Sequence, residues 1–444
     1  MGWQPLDDTN IPFISYWHES SPPLQTIPVL EGNISTDVVV IGAGYTGLSA
    51  ALHLAEKGIN VVVLDANEPG WGASGRNNGQ VVAALKHEPH EIEQQFGQER
   101  ASRLIQAIGD APQLVFDLIE KYQMQVPGNR HGILTAAHSL PKLDTLKRRN
   151  DVWAKRGVEL QWLDHQQLAE RVGSDYYFGG TFDPRGGAIN PLAYSRELAH
   201  ALLKNQGRIY KHAHVTQIRK EGDRWLAASD SGSVRAERVI IATNGYTDNL
   251  WPGLKRTVLP ARTPQLVSEP LPEEVWRRIL PGGETLSDTK ARILGIRIHP
   301  DGRIHFGGGG ASPGADREEP YANIRRQSKT IFPFLNKVRW AYRWSGFVAL
   351  TPDRYPRLFE LAPGVTSVLG YSGRGLGTGI LMGKELAAWA AGERGIDELA
   401  LPLSHYRELP YYPLKNLAID LALGYYAWQD KKSLAQHPRH QKQK

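Results

Sequence analysis

The stretch Asp37-Val-Val-Val-Ile-Gly-Ala-Gly-Tyr-Thr-Gly47, continuing through a helical pattern to Val61-Val-Val-Leu-Asp65, decides how this chain folds. A β-branched run, Val38 to Ile41, enters Gly42, Gly44 and Gly47. Leu48, Ala51, Leu52 and Ala55 then recur on one helical face, and a second apolar run ends at Asp65. Each piece suits a dinucleotide. Gly42 permits the tight strand-to-helix turn, Gly44 lets a pyrophosphate approach bare backbone, and Gly47 brings the helix close to its strands. The helix opens at Tyr45 and Thr46, and its first amides face the phosphates. Asp65, eighteen residues after Gly47, stands with Ala66 where a carboxylate accepts ribose hydroxyls. Three glycines at this spacing arise by chance in a chain with 45 of them. Strand, glycines, helix, second strand and terminal acid in that order do not.

With 444 residues the chain exceeds one compact core, so two lobes are expected. Hydrophobic residues at 41% and charged ones at 22% describe an ordinary globular protein. No apolar run approaches the ~20 residues of a membrane span. The start, Met-Gly-Trp-Gln-Pro-Leu-Asp-Asp, has neither the basic opening nor the apolar core of a secretory signal, which predicts a cytoplasmic protein. Cysteine is absent, which excludes disulfides, thiolate metal sites, iron–sulfur clusters and a flavin tethered through sulfur. The 15 histidines show no ligand spacing with acids, so no metal site is expected; His87, His90, His212 and His214 read as surface or turn residues. Residues 430–444 carry five Lys/Arg against Asp430 alone. Setting that surplus of four aside from the net +6 leaves the body near +2, too balanced for a nucleic-acid footprint. The basic tail is expected to be a solvated end. Neither a membrane span nor a nucleic-acid partner is anticipated, and oligomeric state is not legible.

The fold class expected is α/β, α+β overall: a Rossmann-like cofactor-binding domain interleaved with a β-sheet-rich substrate domain. Residues 1–35 read as an irregular arm held by Trp3, Phe13, Tyr16 and Trp17. Segments 36–85, 186–250 and 340–400 are assigned to the cofactor domain and 86–185 and 251–339 to the substrate domain, with a C-terminal helix and basic tail over 401–444. Pro191 opens a helix to Asn205. Strands are expected at Thr257–Glu269, Arg292–Ile298 and Arg303–Gly307, with Pro300-Asp-Gly302 as a hairpin turn.

Nicotinamide dehydrogenases and flavin enzymes share the opening motif, and three downstream features favour FAD. The loop Gly70–Gln80 supplies backbone amides together with Ser74, Arg76 and Asn77 directly after Asp65, as a long cofactor requires. The apolar strand Val239–Ile241 ends in small residues, Ala242-Thr243-Asn244-Gly245. Gly370-Tyr-Ser-Gly-Arg-Gly-Leu-Gly-Thr378 precedes another helix, whose N-terminus would stabilise charge at a flavin pyrimidine.

These residues resemble the FAD-dependent amine and amino-acid oxidoreductases grouped with D-amino-acid oxidase, glycine oxidase and sarcosine oxidase, most closely the branch around gamma-glutamylputrescine oxidoreductase. The likeness is carried by 40–47, Gly-Trp-Gly-Ala-Ser-Gly-Arg-Asn (70–77), Ala-Thr-Asn-Gly-Tyr (242–246), Phe-Gly-Gly-Gly (306–309), Trp344-Ser-Gly346 with Thr351-Pro-Asp353, and Gly-Tyr-Ser-Gly (370–373), in family order over roughly 30–400. It implies FAD, bound without a covalent link because no histidine or cysteine stands in 70–80. Gly42, Gly44, Gly47 and Asp65 would hold the adenosine and pyrophosphate. Gly72, Ala73, Ser74, Gly75, Arg76, Asn77, Asn78, Gly79 and Gln80 would lie along the pyrophosphate and ring, and Val215 near the adenine. Ala242, Thr243 and Asn244 would line the cleft, and Gly373, Arg374, Gly375, Leu376, Gly377 and Thr378 would face the pyrimidine. Arg297, Trp344 and Tyr371 are substrate-binding candidates; Lys290 reads as an exposed lysine. Three positions depart from the family: Asn78 where glycine is usual, Arg374 where histidine is frequent, and Gly295 in a strand that commonly presents an aromatic before Arg297.

The reaction implied is oxidation of a C–N bond in a small amine, an amino acid or a gamma-glutamyl polyamine conjugate. Hydride passes to flavin N5, the imine is hydrolysed, and oxygen or an electron carrier is the acceptor. Such chemistry asks for positioning more than for a strong base, and no catalytic residue is assigned. The alternatives are an FAD-binding subunit without amine oxidase activity of its own, motivated by the three departures, and a nicotinamide dehydrogenase.

Overall fold

The computed structural model describes residues 15–313 and 316–435. A six-stranded sheet holds the opening motif: β1 Val38–Ile41, β2 Val61–Leu64, β3 Arg208–Tyr210, β4 Arg238–Ile241, β5 Arg357–Ala362 and β6 Val365–Leu369, in the spatial order β3-β2-β1-β4-β6-β5. All neighbours run parallel except β5 against β6. Every residue of β1 and β2 is buried. Strands covered on both faces read as unbroken apolar runs, which is why Val-Val-Val-Ile and Val-Val-Val-Leu form the sheet centre. The helix α1 Tyr45–Ala55 packs on it, and α2 Gly375–Ala390 packs on α1.

An eight-stranded sheet forms the second lobe. Its order is Trp340–Leu350, Leu259–Ser268, Ile304–Gly308, Leu294–Ile298, Thr285–Asp288, Ile133–Ala136, Gly180–Asp183 and Gln161–Leu163. Phe306, Leu266, Ile296, Leu286 and Tyr321 fill its core. A four-stranded sheet (Gly32–Ser35, Gly232–Ala236, Arg224–Ser229, Val215–Glu221) flanks the first lobe. The last helix, α3 Lys415–Ala435, lies across the second lobe beside Leu259–Ser268.

Several local expectations change. Residues 32–35 are a paired strand, registered with 232–235, rather than part of an irregular arm. The segment 340–350 pairs antiparallel along 259–268 in the eight-stranded sheet, from Leu350 against Leu259 to Trp340 against Ser268, and not in the parallel sheet. The arm holds through Tyr16 and Trp17, both buried on the short helix Tyr16–Ser20; Trp3 and Phe13 lie outside the described residues. At the other end, Asp430 is buried and accepts from the Ala291 and Arg292 amides, so α3 is tied to the body there instead of fraying into solvent. Arg439, Lys442 and Lys444 lie outside the described residues. Lys290 is also buried, 4% exposed, and bridges Asp288 at 3.1 Å and Gln327 at 2.8 Å. Burial is the largest influence and opposes its charge, but Asp288, Tyr176 and Asp430 together outweigh it and hold its pKa above the ordinary lysine value. An interior lysine persists because it is paired.

Candidate active site: one cavity between two helix N-termini

The glycines build one end of the site. Gly42 has φ +105°, and a Cβ there would stand 2.9 Å from the Ala242 carbonyl oxygen. A Cβ on Gly47 would lie 1.9 Å from the Gly42 carbonyl oxygen, so only glycine lets α1 leave the turn so close to β1. Gly44 is the α1 N-cap and supplies no side-chain cap, and no acid stands in that first turn. Ser74 Oγ accepts from the Tyr45 amide at 3.0 Å. The half-buried Asp65 carboxylate accepts from the Ala43 amide at 2.6 Å and the Asn67 amide at 2.8 Å. Burial raises its pKa, and the two amide donors oppose that rise. Asp65 therefore fixes the glycine turn as well as facing the cavity.

That cavity, about 540 Å³, runs from Asp65, Ala66 and Val215 past Gly42–Thr46, Gly72–Ser74, Arg76–Asn78, Gln80 and Ala242–Asn244 to Tyr371 and Gly373–Leu376. At its far end the α2 N-terminus faces inward, again without a side-chain cap or a first-turn acid. Asn244 Oδ1 accepts from the Gly370 amide at 2.9 Å and Thr46 Oγ1 meets Tyr371 Oη at 2.7 Å, locking the two ends together. Two acid-free helix N-termini opening on one long cleft, the first capped only by the Ser74 hydroxyl, match a ligand with a pyrophosphate at one end and an electron-poor ring at the other. The residues present fit FAD.

Five expected contacts stand behind the wall instead. Gly47, Gly75, Gly79, Gly377 and Thr378 do not line the cavity. Gly75 and Gly79 are packed against the carbonyls of Gly70 and Ile189, Gly377 faces Ala111, and Thr378 is buried inside α2.

Of the substrate candidates, Tyr371 lines the cavity with its hydroxyl held by Thr46. Arg297 and Trp344 do not line it, which corrects the expectation for both. They act from behind. Trp344 Nε1 donates to the Arg76 carbonyl at 2.9 Å, Trp17 Nε1 to the Asn77 carbonyl at 2.9 Å, and Arg297 Nη1 to the Asn78 carbonyl at 3.1 Å. Three consecutive carbonyls of the cofactor loop are thus anchored to buried donors. Arg297 also donates to the Ile189 carbonyl at 2.8 Å and lies over the Trp17 ring at 5.3 Å. Burial lowers its pKa to about 10. Arg76 is itself tied to the Trp71 carbonyl at 2.8 Å and stacked on the Trp71 ring.

Two of the three departures from the family pattern are one arrangement. The Asn78 carboxamide reaches toward Gln265 (3.5 Å) and His305 Nε2 (3.4 Å), and its buried Oδ1 has no hydrogen-bond partner. A Cβ on Gly295 would meet that Oδ1 at 3.3 Å and Gln80 Nε2 at 3.4 Å. Asn78 therefore occupies space that a larger residue at 295 would need. Gly295→Phe should lower stability by about 2 kcal/mol, and pairing it with Asn78→Gly should recover at least about 1 kcal/mol of that loss. Denaturation midpoints of the four proteins in that cycle measure the coupling; strict additivity would show that the two positions are independent.

Sequence reasoning named Arg374 as a cofactor contact but missed the rest of the charged far end. Lys86, Arg292, Arg354 and Arg374 line it, while the acids among the described lining residues, Asp65 and Asp248, stand at the adenosine end, Asp248 paired with His214 at 2.8 Å. Burial, then Arg374 and Arg354, lower the Lys86 pKa to about 7. Burial takes Arg374 to about 10, and its buried Nε has no partner. Arg354 donates to Tyr426 Oη at 3.0 Å, and Ala418, Ile419, Ala422, Leu423 and Tyr426 of α3 complete the wall. The available signal was Lys86 closing the apolar run Val81-Val-Ala-Ala-Leu85; nothing local announces that α3 folds back onto the cleft.

A sequence model of the family described as "FAD dependent oxidoreductase" matches residues 37–389. Gamma-glutamylputrescine oxidoreductase of Escherichia coli is 32% identical over 425 residues, covering 94% of this chain and 98% of that protein. The "probable oxidoreductase OrdL" of Rhizobium meliloti is 33% identical over 429 residues, covering 94% and 97%. Among solved structures, glycine oxidase from Geobacillus kaustophilus superposes with a TM-score of 0.72 at 20% identity, over 84% of this chain and 100% of that one.

Proposed function

The chain belongs to the family of FAD-dependent oxidoreductases, and we propose that it oxidises a carbon–nitrogen bond in an amine that also carries a carboxylate, an amino acid or a gamma-glutamyl amine conjugate. The observation that carries this reading is the cationic far end of the cavity, where Lys86, Arg354 and Arg374 have no acid among the described lining residues beside them. A carboxylate supplies the missing charge. The names of two similar proteins, gamma-glutamylputrescine oxidoreductase and glycine oxidase, fit such a substrate.

FAD, when bound, would supply the acceptor for the two electrons that leave with the α-carbon hydrogen as the C–N bond becomes C=N. Gly42–Thr46 and Ser74 would hold its pyrophosphate, and Arg374–Leu376 its ring edge. The amine must be neutral before its α-carbon gives up hydride, and the cationic field of Arg354 and Arg374, joined by Lys86 when it is protonated, disfavours an ammonium while favouring a carboxylate. Water then adds to the imine and releases a carbonyl compound with an amine or ammonia.

Discrimination between an amine and the same amine bearing a carboxylate tests this reading. The kcat/KM should fall about 10²-fold or more without the carboxylate; equal values would contradict it. Lys86 adds a pH signature. Its pKa of about 7 lies below the ordinary lysine value, so above pH 7 the empty site holds mostly the neutral form. A carboxylate beside it favours the charged form, so binding takes up a proton between Lys86's free-site pKa and the ordinary lysine range. Calorimetry with a carboxylate inhibitor in buffers of different ionisation enthalpy should show that uptake in the wild type and lose it in Lys86→Met. Uptake unchanged in the variant would remove Lys86 from the subsite.

A further inference from the structure

The helix α3 carries two apolar stripes, and only one of them is used by the fold. Ala418, Ile419, Ala422, Leu423 and Tyr426 face the cavity. Leu414, just before the helix, and Leu417, Leu421, Tyr425 and Trp428 recur at three- and four-residue spacing on another side. They are 55–66% exposed. With Tyr411 they make up six of the ten large apolar side chains that stand exposed among the described residues. Such a concentration marks an interaction surface rather than scattered surface leucines.

Charge identifies the occupant. The segment 411–444 carries six Lys/Arg (Lys415, Lys431, Lys432, Arg439, Lys442, Lys444) and two acids. Both acids point to the body: Asp420 accepts from Ser312, and Asp430 from the Ala291 and Arg292 amides. At the end of the stripe Tyr425 and Trp428 stack at 5.9 Å, and Lys432 Nζ lies 5.5 Å from the Trp428 ring. Leucines followed by an aromatic pair and lysines are the composition of a helix lying in a bilayer interface, with cations toward acidic headgroups. A second copy of the same helix fits less well: a heptad through Leu414, Leu421 and Trp428 puts Leu417, Gly424 and Lys431 at the alternate seam position. No helix is long and apolar enough to cross a membrane among the described residues, so the contact is with the surface.

We propose that the outer face of α3 docks the enzyme on an anionic membrane surface, with the inner face of the same helix walling the cavity. The FAD-loaded full chain should co-sediment with vesicles of phosphatidylglycerol and phosphatidylcholine, be released by salt, and stay in solution with phosphatidylcholine alone. The combined variant Leu417→Ser, Leu421→Ser, Trp428→Ser should lower the bound fraction at least tenfold with flavin content unchanged. Lys431→Glu with Lys432→Glu, which leaves the apolar stripe intact, should weaken binding to the anionic vesicles in the same direction. Failure of the wild type to bind anionic vesicles, or equal binding by both variants, would overturn the proposal. So would a wild-type dimer that the serine variant converts to monomer, because a second copy would then cover the stripe.

Discussion

Gly44→Val should give a folded, colourless protein. Gly44 has φ −87° and ψ −173°, extended backbone open to any residue, so the substitution carries no conformational strain. Its Cβ would press only on Ser74 Oγ at 2.9 Å, the end of a side chain that can rotate, at the loss of one hydrogen bond worth about 1 kcal/mol. The valine methyls, however, project where a pyrophosphate must meet the first amides of α1. Flavin content should fall from stoichiometric to near zero while the far-ultraviolet spectrum stays native. Gly47→Ala is the contrasting case. Its Cβ, 1.9 Å from a backbone oxygen, has nowhere to go, and the expected loss is of soluble folded protein. Normal flavin content in Gly44→Val would place the cofactor elsewhere.

Arg297→Met is the second large effect, and it separates a structural arginine from a substrate-binding one. The change orphans the carbonyls of Asn78 and Ile189, at about 1–3 kcal/mol each. Relief of a buried cation, whose pKa burial has lowered to about 10, offsets part of that cost. A net destabilisation of about 2–4 kcal/mol remains. Because the Asn78 carbonyl belongs to the cofactor loop, FAD affinity should weaken as well. Denaturant midpoints and flavin titration check both, and Arg297→Lys, which keeps a cation but only one compact donor group, should lie between. A raised KM for the carboxylate substrate with unchanged stability would return Arg297 to the substrate pocket.

Sequence was most legible where the physics is local. A strand buried on both faces must be apolar throughout, so Val38–Ile41 and Val61–Leu64 announced the parallel sheet. The glycine spacing was legible because Gly42 and Gly47 meet in space after one helical turn. The second turn, 370–376, could be tied to the same ligand because it too opens a helix. Illegible were side chains whose roles depend on distant strands. Trp344 and Trp17, 327 positions apart, anchor neighbouring carbonyls of one loop, and no local pattern connects them. Lys290 read as exposed because lysines usually are; only the strand holding Asp288 makes its burial tolerable. The substitutions at 78 and 295 looked like two losses in the chain and are one exchange of volume across the sheet.

The most direct test is anaerobic mixing of the FAD-loaded protein with a series of amines, amino acids and gamma-glutamyl amines, followed by the oxidised flavin absorption band. C–N oxidation in this cavity predicts full bleaching by at least one carboxylate-bearing amine, with one equivalent of carbonyl product per flavin after hydrolysis. An unbleached flavin across the series, in protein that binds FAD stoichiometrically, would contradict it and leave a cofactor-binding protein without amine oxidase activity.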